Sequence, residues 1–230
     1  MNYYPVNLDI QERRCVVVGA GGVALRKVRR LLACSARITV VSPQIHPALR
    51  LLVEEGLIVW LAREFQPDDL AGAYLVIAAT DRPGVNQAVA EEARRQDMLC
   101  NVIDQPGAGN FIVPSVVRRG DLMLTVSTSG QSPALSKHLR KVLERQFGNE
   151  YEAFLRLMGA LRRHLVGADS DPEAHRELFE HLVRSDLIEA IGRGHWTEVR
   201  QQLRILLGSD YDEALLVAAG APDEPPLRQG

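Results

Sequence analysis

Apolar residues recur along the first hundred positions in two alternating rhythms. Short, largely β-branched runs at Cys15 to Val18, Ile38 to Val41, Leu57 to Leu61, Tyr74 to Ala78 and Leu99 to Val102 read as strands. Between them, Val23 to Ala33 and Val85 to Gln96 carry apolar residues at helical spacing, with arginines and carboxylates on the other faces. Strands apolar throughout and separated by amphipathic helices predict a parallel sheet covered on both sides, so residues 1–112 are expected to form a doubly wound, Rossmann-type α/β domain. Around Pro106, Gly107 and Gly109 the alternation stops, and Phe111 to Val113 and Leu122 to Ser127 are expected as strands outside the parallel sheet.

From Pro133 the pattern turns helical. Ser132 is suited to the N-cap and Pro133 to the first helical position, and the helix is expected to reach about Phe147, so residues 113–148 read as a small α+β segment. The next helix places Phe154, Leu155, Met158, Leu161 and Leu165 on one face, a stripe that reads as core or subunit interface. Ala174 to Arg184, Asp186 to Ile191 and Thr197 to Leu207 complete an expected helical domain over 149–208. Beyond it, Ala221-Pro222-Asp223-Glu224-Pro225-Pro226 suggests a flexible tail over 209–230.

Composition narrows the class. In 230 residues, 46% hydrophobic and 24% charged describe an ordinary globular chain rather than a disordered one. The apolar runs are too short to cross a membrane, and no basic-then-apolar leader opens the sequence. Cys15, Cys34 and Cys100 have no C-x-x-C spacing, which suits a reducing cytoplasm. The six histidines are scattered, and no metal cage is read from them. A net charge of -2 argues against a nucleic-acid partner, yet residues 113–148 hold six basic and only two acidic side chains. That basic island fits either a solvated helix face or a site for an anion.

The stretch most informative about chemistry is Gly19-Ala20-Gly21-Gly22-Val23-Ala24, a G-x-G-x-x-A turn running from an expected strand into an expected helix. Gly19 permits the tight turn, Gly21 lets the backbone approach a pyrophosphate, and the small Ala24 permits close helix-to-strand packing, while the helix N-terminus presents free N–H groups to the anion; Gly19, Gly21, Gly22 and Val23 are thus expected to bind the cofactor. A dinucleotide is therefore expected. The acidic residue normally found about 20 positions on is missing, and Ser42, Pro43 and Gln44 stand there. Ser42, Gln44 or main-chain groups are left to bond the ribose. With no arginine in that turn to take a 2′-phosphate, NAD is preferred to NADP. The small residues before Thr80 let a cofactor lie against the fourth strand, while Asp81 faces the same crevice or caps the following helix.

Asp104 ends the fifth strand just before a turn. As a residue before Gln105-Pro106 it fits a structural turn, and as a carboxylate at the sheet's carboxyl edge it fits a catalytic base. Five segments taken together, GAGGVALRK at 19–27, AATD at 78–81, NVID at 101–104, FIVPS at 111–115 and STSGQSP at 127–133, resemble the precorrin-2 dehydrogenase family of siroheme synthase. The resemblance runs in register over about residues 3–165. It implies that NAD accepts a hydride while precorrin-2 is oxidised to sirohydrochlorin, with Asp104 as the catalytic residue. Some members also insert ferrous iron as a sirohydrochlorin ferrochelatase, which the sequence leaves open here. A homodimer built through 113–148 and a helical C-terminal domain are implied in the same way. The methyltransferase domain of longer members has no counterpart among the roughly 60 residues after the second long helix, so precorrin-2 is expected from another enzyme.

The acetate and propionate groups of such a tetrapyrrole give the basic island a use. Arg118, Arg119, Lys137, Arg140 and Lys141 are candidate partners, and Ser127, Thr128, Ser129 and Ser132 of the preceding turn offer hydroxyls. Those hydroxyls serve equally as helix caps. Two other readings remain: a dehydrogenase for a different anionic substrate, and a ligand-sensing Rossmann module, which needs no base at Asp104.

Overall fold

The computed structural model describes residues 3–103, 105, 107–166 and 172–222. They divide into two compact units, Met1–Val113 with Ser129–Gln131, and Pro114–Thr128 with Ser132–Gly230.

The first unit is a five-stranded parallel sheet. In chain order it comprises β1 (Arg14–Val18), α1 (Gly22–Leu32), β2 (Arg37–Val41), α2 (Pro47–Glu54), β3 (Ile58–Leu61), a 3₁₀ turn (Pro67–Leu70), β4 (Leu75–Ala78), α3 (Pro83–Arg95) and β5 (Leu99–Val102). The strands lie in the order β3-β2-β1-β4-β5, all parallel, with Val16 opposite Thr39 on one side and Val76 on the other. Alternation along each strand sends side chains to two separate cores. Cys15 and Val17 pack with Val28 and Leu31 of α1 and Leu49 of α2, while Val16 and Val18 pack with Val89, Ala90 and Ala93 of α3. The chain reverses its direction of growth between β1 and β4, and such a switch point opens a crevice at the carboxyl ends of the strands.

Two local features depart from the sequence reading. Pro47 starts α2, a helix the sequence reading did not assign; proline is favoured at the first helical position and His46 caps it through Nδ1, which accepts the Ala48 N–H at 3.1 Å. Phe111 to Val113 form no strand. The Cys100 carbonyl accepts the Asn110 N–H at 3.0 Å and the Asn110 side chain takes the Cys100 N–H at 2.8 Å, so this return is docked on β5 by isolated bonds rather than a ladder. The strand begins instead at Ser115.

The second unit opens with an antiparallel hairpin, β6 (Ser115–Arg119) and β7 (Leu122–Val126), turning at Gly120 with φ +55°. Helix α4 (Pro133–Gln146) packs on it. Five helices follow, α5 (Glu150–Val166), α6 (Pro172–Arg184), α7 (Leu187–Arg193), α8 (Trp196–Leu207) and α9 (Ala214–Ala219). Leu157 and Leu161 of α5 are fully buried with Leu182, Leu187, Leu203 and Leu216. The last of these corrects the expectation of a flexible tail over 209–230 as far as residue 222, while residues 223–230 lie outside the described residues. Leu215, Leu216 and Ala219 bury one side of α9 in the helical core, a driving force that the proline-rich ending obscured, and the described chain is ordered to Pro222. Among the described residues no helix is long and apolar enough to cross a membrane.

Candidate functional site

The first unit holds a cleft of about 790 Å³ at the carboxyl edge of its sheet, a size suited to a small-molecule ligand. Its wall contains Gly19, Gly21, Gly22, Val23, Ser42, Pro43, Gln44 and Thr80, so the structure brings all eight residues read as a dinucleotide site to one place.

Each glycine of the turn has a different physical job. Gly19 has φ +104°, and a Cβ there would sit 2.5 Å from the Ala79 carbonyl oxygen, so only glycine lets β1 turn against the end of β4. Gly21 and Gly22 have ordinary negative φ values, and nothing lies within 4 Å of a Cβ built on either. Their missing side chains therefore leave open space for a ligand rather than relieving a contact inside the protein. Helix α1 starts at this opening with Gly21 as N-cap, no side-chain cap and no acidic residue in its first turn. The first-turn N–H groups thus have no partner within the helix and face the cleft with the positive end of the helix dipole.

Neighbouring segments hold the turn in place. Gly19 N–H donates to the Val41 carbonyl at 2.9 Å and His46 N–H to the Ala20 carbonyl at 3.0 Å. At the end of β2, Ser42 N–H donates to Leu61 and its carbonyl accepts the Trp60 indole N–H at 2.9 Å, so both main-chain groups are engaged on β3. The side chains of Ser42 and Gln44 are what this end offers a ribose. Across the crevice, Asn86 clasps Thr80. It accepts the Thr80 hydroxyl at 2.7 Å and the Thr80 N–H at 3.2 Å, and donates to the Thr80 carbonyl at 3.0 Å. Asn86 is buried and was invisible in the sequence, where it looks like one more polar position on an amphipathic helix. Asp81 does not cap α3. Arg82 occupies the N-cap, and its N–H donates to the Thr80 hydroxyl at 3.1 Å.

Asp104 lies outside the described residues. Its predecessor Ile103 lines the cleft and donates its N–H to the Ala78 carbonyl at 3.0 Å. The strand leading to it is braced by a second feature the sequence did not reveal. Lys27 Nζ donates to Asn101 Oδ1 at 3.2 Å, and Asn101 Nδ2 donates to the Phe111 carbonyl at 3.1 Å, tying α1, β5 and the return after it together. Burial, with Arg30 and Arg26 nearby, lowers the Lys27 pKa from its ordinary value.

A further fork fixes the connection from β3 to β4. Arg63 holds buried Asp69 through two bonds of 2.5 and 2.9 Å, and Gln66 N–H adds a third at 2.8 Å. Burial alone would raise the Asp69 pKa, but the Arg63 fork, the Gln66 N–H and the Arg14 charge overcome it and hold the carboxyl below its usual value.

The residues read as substrate-binding are distributed differently. Ser129 falls in the first unit, and Ser127, Thr128, Ser132 and Lys137 in the second. Ser132 Oγ accepts the Leu135 N–H at 3.2 Å and so caps α4, while Thr128 Oγ1 accepts the Ser132 N–H at 3.1 Å and lies 3.1 Å from Ser136 Oγ. Ser129 adopts φ +51° beside Gly130 at +83°. In the basic island, Arg119 donates to the Arg118 and Glu144 carbonyls and Arg140 pairs with Glu144, whereas Arg118, Lys137 and Lys141 are exposed, with Arg118 Nη2 3.9 Å from the Met123 sulfur. Among the described residues no group of three or more His, Cys, Asp or Glu side chains could hold a metal ion.

Comparison with known proteins adds to this geometry. Residues 6–115 match the family described as "Putative NAD(P)-binding", and residues 119–146 the family described as "Sirohaem biosynthesis protein central". The chain is 36% identical over 231 residues to siroheme synthase 1 of Aeromonas salmonicida, covering 99% of this chain and 49% of that protein. It is 37% identical over 236 residues to the siroheme synthase of Nitrosospira multiformis, covering 99% and 50%. The chain therefore spans about half the length of the curated relatives it matches. A solved chain described as SirC, precorrin-2 dehydrogenase, matches with a TM-score of 0.73 at 24% identity, over 86% of this chain and 100% of that one, a likeness of fold.

Proposed function

Since the chain belongs to the siroheme synthase family over the half of those proteins that it spans, we propose that it is the NAD-dependent dehydrogenase that oxidises precorrin-2 to sirohydrochlorin. The observation that carries this reading is the open glycine turn feeding an uncapped helix start at the switch point of a β3-β2-β1-β4-β5 sheet.

The cleft fits the cofactor. The first-turn N–H groups of α1, beside the open space at Gly21 and Gly22, would hold the pyrophosphate, and Ser42 and Gln44 would bond the adenosine ribose. The clasp on Thr80 would hold the β4 edge in place where a dinucleotide binds. NAD, when bound, supplies the acceptor for a hydride. Precorrin-2 loses that hydride together with a proton, and the Asp104 carboxylate takes the proton as general base. The brace from Lys27 through Asn101 to Phe111 ties the end of β5, which precedes residue 104 in the chain, to the return that follows it.

In the same reading, Arg118, Lys137 and Lys141 of the second unit, with the hydroxyls of Ser127, Thr128 and Ser132 there, receive substrate carboxylates. Segment 113–148 joins two copies into a homodimer, a role supported by Leu135 and Leu139 of α4, which are 47% and 38% exposed in the single chain. Three free cysteines, two of them buried, accord with a cytoplasmic protein.

A second activity is favoured by the relatives' own name. Forming siroheme requires ferrous iron to replace the pyrrole N–H protons, and Asp104 serves that step as the same proton acceptor. Iron is then a substrate. The test is an anaerobic absorbance time course with enzymatically made precorrin-2 and NAD, with ferrous iron added once the first change is complete. Sirohydrochlorin and NADH appearing together support the dehydrogenase, and a further iron-dependent change above the protein-free control supports the chelatase. Folded, NAD-binding protein that produces neither overturns the reading.

A further inference from the structure

One charged pair on the cleft wall has no part in the scheme above. Glu64 follows β3 and Arg82 begins α3; both line the cleft, and Arg82 Nη2 donates to Glu64 Oε1 at 2.9 Å. The strand order sets β2 and β1 between these two connections, so the bridge crosses the cleft on the side where β2 ends. Both of its ends are anchored. The Glu64 carbonyl accepts from Arg63 at 3.0 Å, beside the fork on Asp69, and the Arg82 main chain is held by the Thr80 hydroxyl. The side chains themselves are 53% and 69% exposed, so the pair contributes little to stability.

Its position matters more than its strength. A carboxylate at the end of β2 is the usual device that bonds the ribose hydroxyls and repels a 2′-phosphate, and this chain has none there. Glu64 brings a carboxylate to the same cleft from the next strand. Arg82 is the only guanidinium among the lining residues, and it is already engaged by Glu64. Two carboxylates, Glu64 and Asp81, thus face one arginine, a balance that opposes an added phosphate dianion.

We propose that Glu64 selects NAD over NADP, by supplying the carboxylate missing from the end of β2 and by occupying the guanidinium of Arg82, which otherwise pairs with a 2′-phosphate. The proposal rests on the dinucleotide reading of the cleft.

Calorimetric titration of the full chain with NAD and with NADP, in the parent and in Glu64→Gln, tests it without turnover. The parent is expected to prefer NAD. Glu64→Gln is expected to shift the NADP to NAD affinity ratio by about tenfold or more toward NADP, a gain that shrinks as salt is raised. Adding Arg82→Gln to that variant is expected to abolish the gain. An unchanged ratio in Glu64→Gln, a parent with equal affinities, or a gain that survives loss of Arg82 would overturn the proposal. A folded parent that binds neither dinucleotide would overturn the reading beneath it as well. A variant whose thermal midpoint has fallen is replaced by Glu64→Ala, for which the same shift is required.

Discussion

Substituting the first two glycines of the turn separates fold from function, because the structure assigns them opposite costs. In Gly19→Ala the new Cβ must tolerate φ +104° and sits 2.5 Å from the Ala79 carbonyl oxygen, with the carbonyl carbon at 2.7 Å. Neither obstacle is a flexible side chain. Backbone strain at such a φ costs about 1–3 kcal/mol, and forcing β1 away from β4 costs about 1–3 kcal/mol more. A loss of about 2–6 kcal/mol is a large share of the stability of a domain this size. In Gly21→Ala the Cβ meets nothing within 4 Å at an ordinary φ, so stability should change by no more than about 0.5 kcal/mol. The same methyl occupies the space assigned to the pyrophosphate. An overlap costing about 1–3 kcal/mol weakens NAD binding about 5- to 150-fold. The chain has two tryptophans, Trp60 in the first unit and Trp196 in the second, so a Trp196→Phe background makes urea unfolding followed by fluorescence report on the first unit alone. Calorimetric titration with NAD supplies the other axis. Gly19→Ala as stable as its parent, or Gly21→Ala binding NAD with parental affinity, would refute the reasoning.

Three further outcomes follow from other contacts. Asn86→Ala removes the clasp on Thr80 and leaves its main-chain groups short of partners, so the first unit should lose about 1–3 kcal/mol in the same urea assay; a loss below about 0.5 kcal/mol would show the clasp to be dispensable. Burial raises the thiols of Cys15 and Cys100 to about 11, so a thiol reagent at neutral pH should label Cys34 alone in the native protein and all three after denaturation; rapid labelling of two or three thiols in the folded state would contradict the buried placement. The Asp69 carboxyl is held below its ordinary value near 3.8, so its stabilising contribution is present above that pH and is lost as pH falls through the lower folded value; the advantage of the parent over Asp69→Asn in urea unfolding should therefore be full at neutral pH and vanish in acid, and an advantage independent of pH would exclude this origin.

How much of this was legible in the sequence depends on how local the cause is. The five strands of the parallel sheet are continuous apolar runs because both faces are covered, and the sequence places them within a residue of where they lie. The glycine turn was equally readable, since strand, turn and helix are contiguous in the chain. Helix α2, which opens at Pro47, was not assigned from the sequence, and Phe111 to Val113 was misread because its apolar run docks on β5 through Asn110 and Asn101 rather than pairing as a strand. Helix α9 escaped notice because its burial depends on α5, some fifty residues earlier. In the site, the Glu64–Arg82 bridge and the Lys27–Asn101 brace depend on which strands become neighbours. Nothing in the spacing along the chain announces them.

Transfer of a hydride from precorrin-2 to NAD on this chain is tested most directly by isotope transfer. Precorrin-2 carrying deuterium at the carbon that is oxidised would be incubated anaerobically with the protein and NAD, and the nicotinamide product weighed by mass spectrometry. Reduced NAD is expected to carry the deuterium, one equivalent for each sirohydrochlorin formed, and that product is expected to be lost in Asp104→Asn with NAD binding retained. Sirohydrochlorin formed without labelled NADH, or labelled NADH formed at the parental rate by Asp104→Asn, would contradict this mechanism.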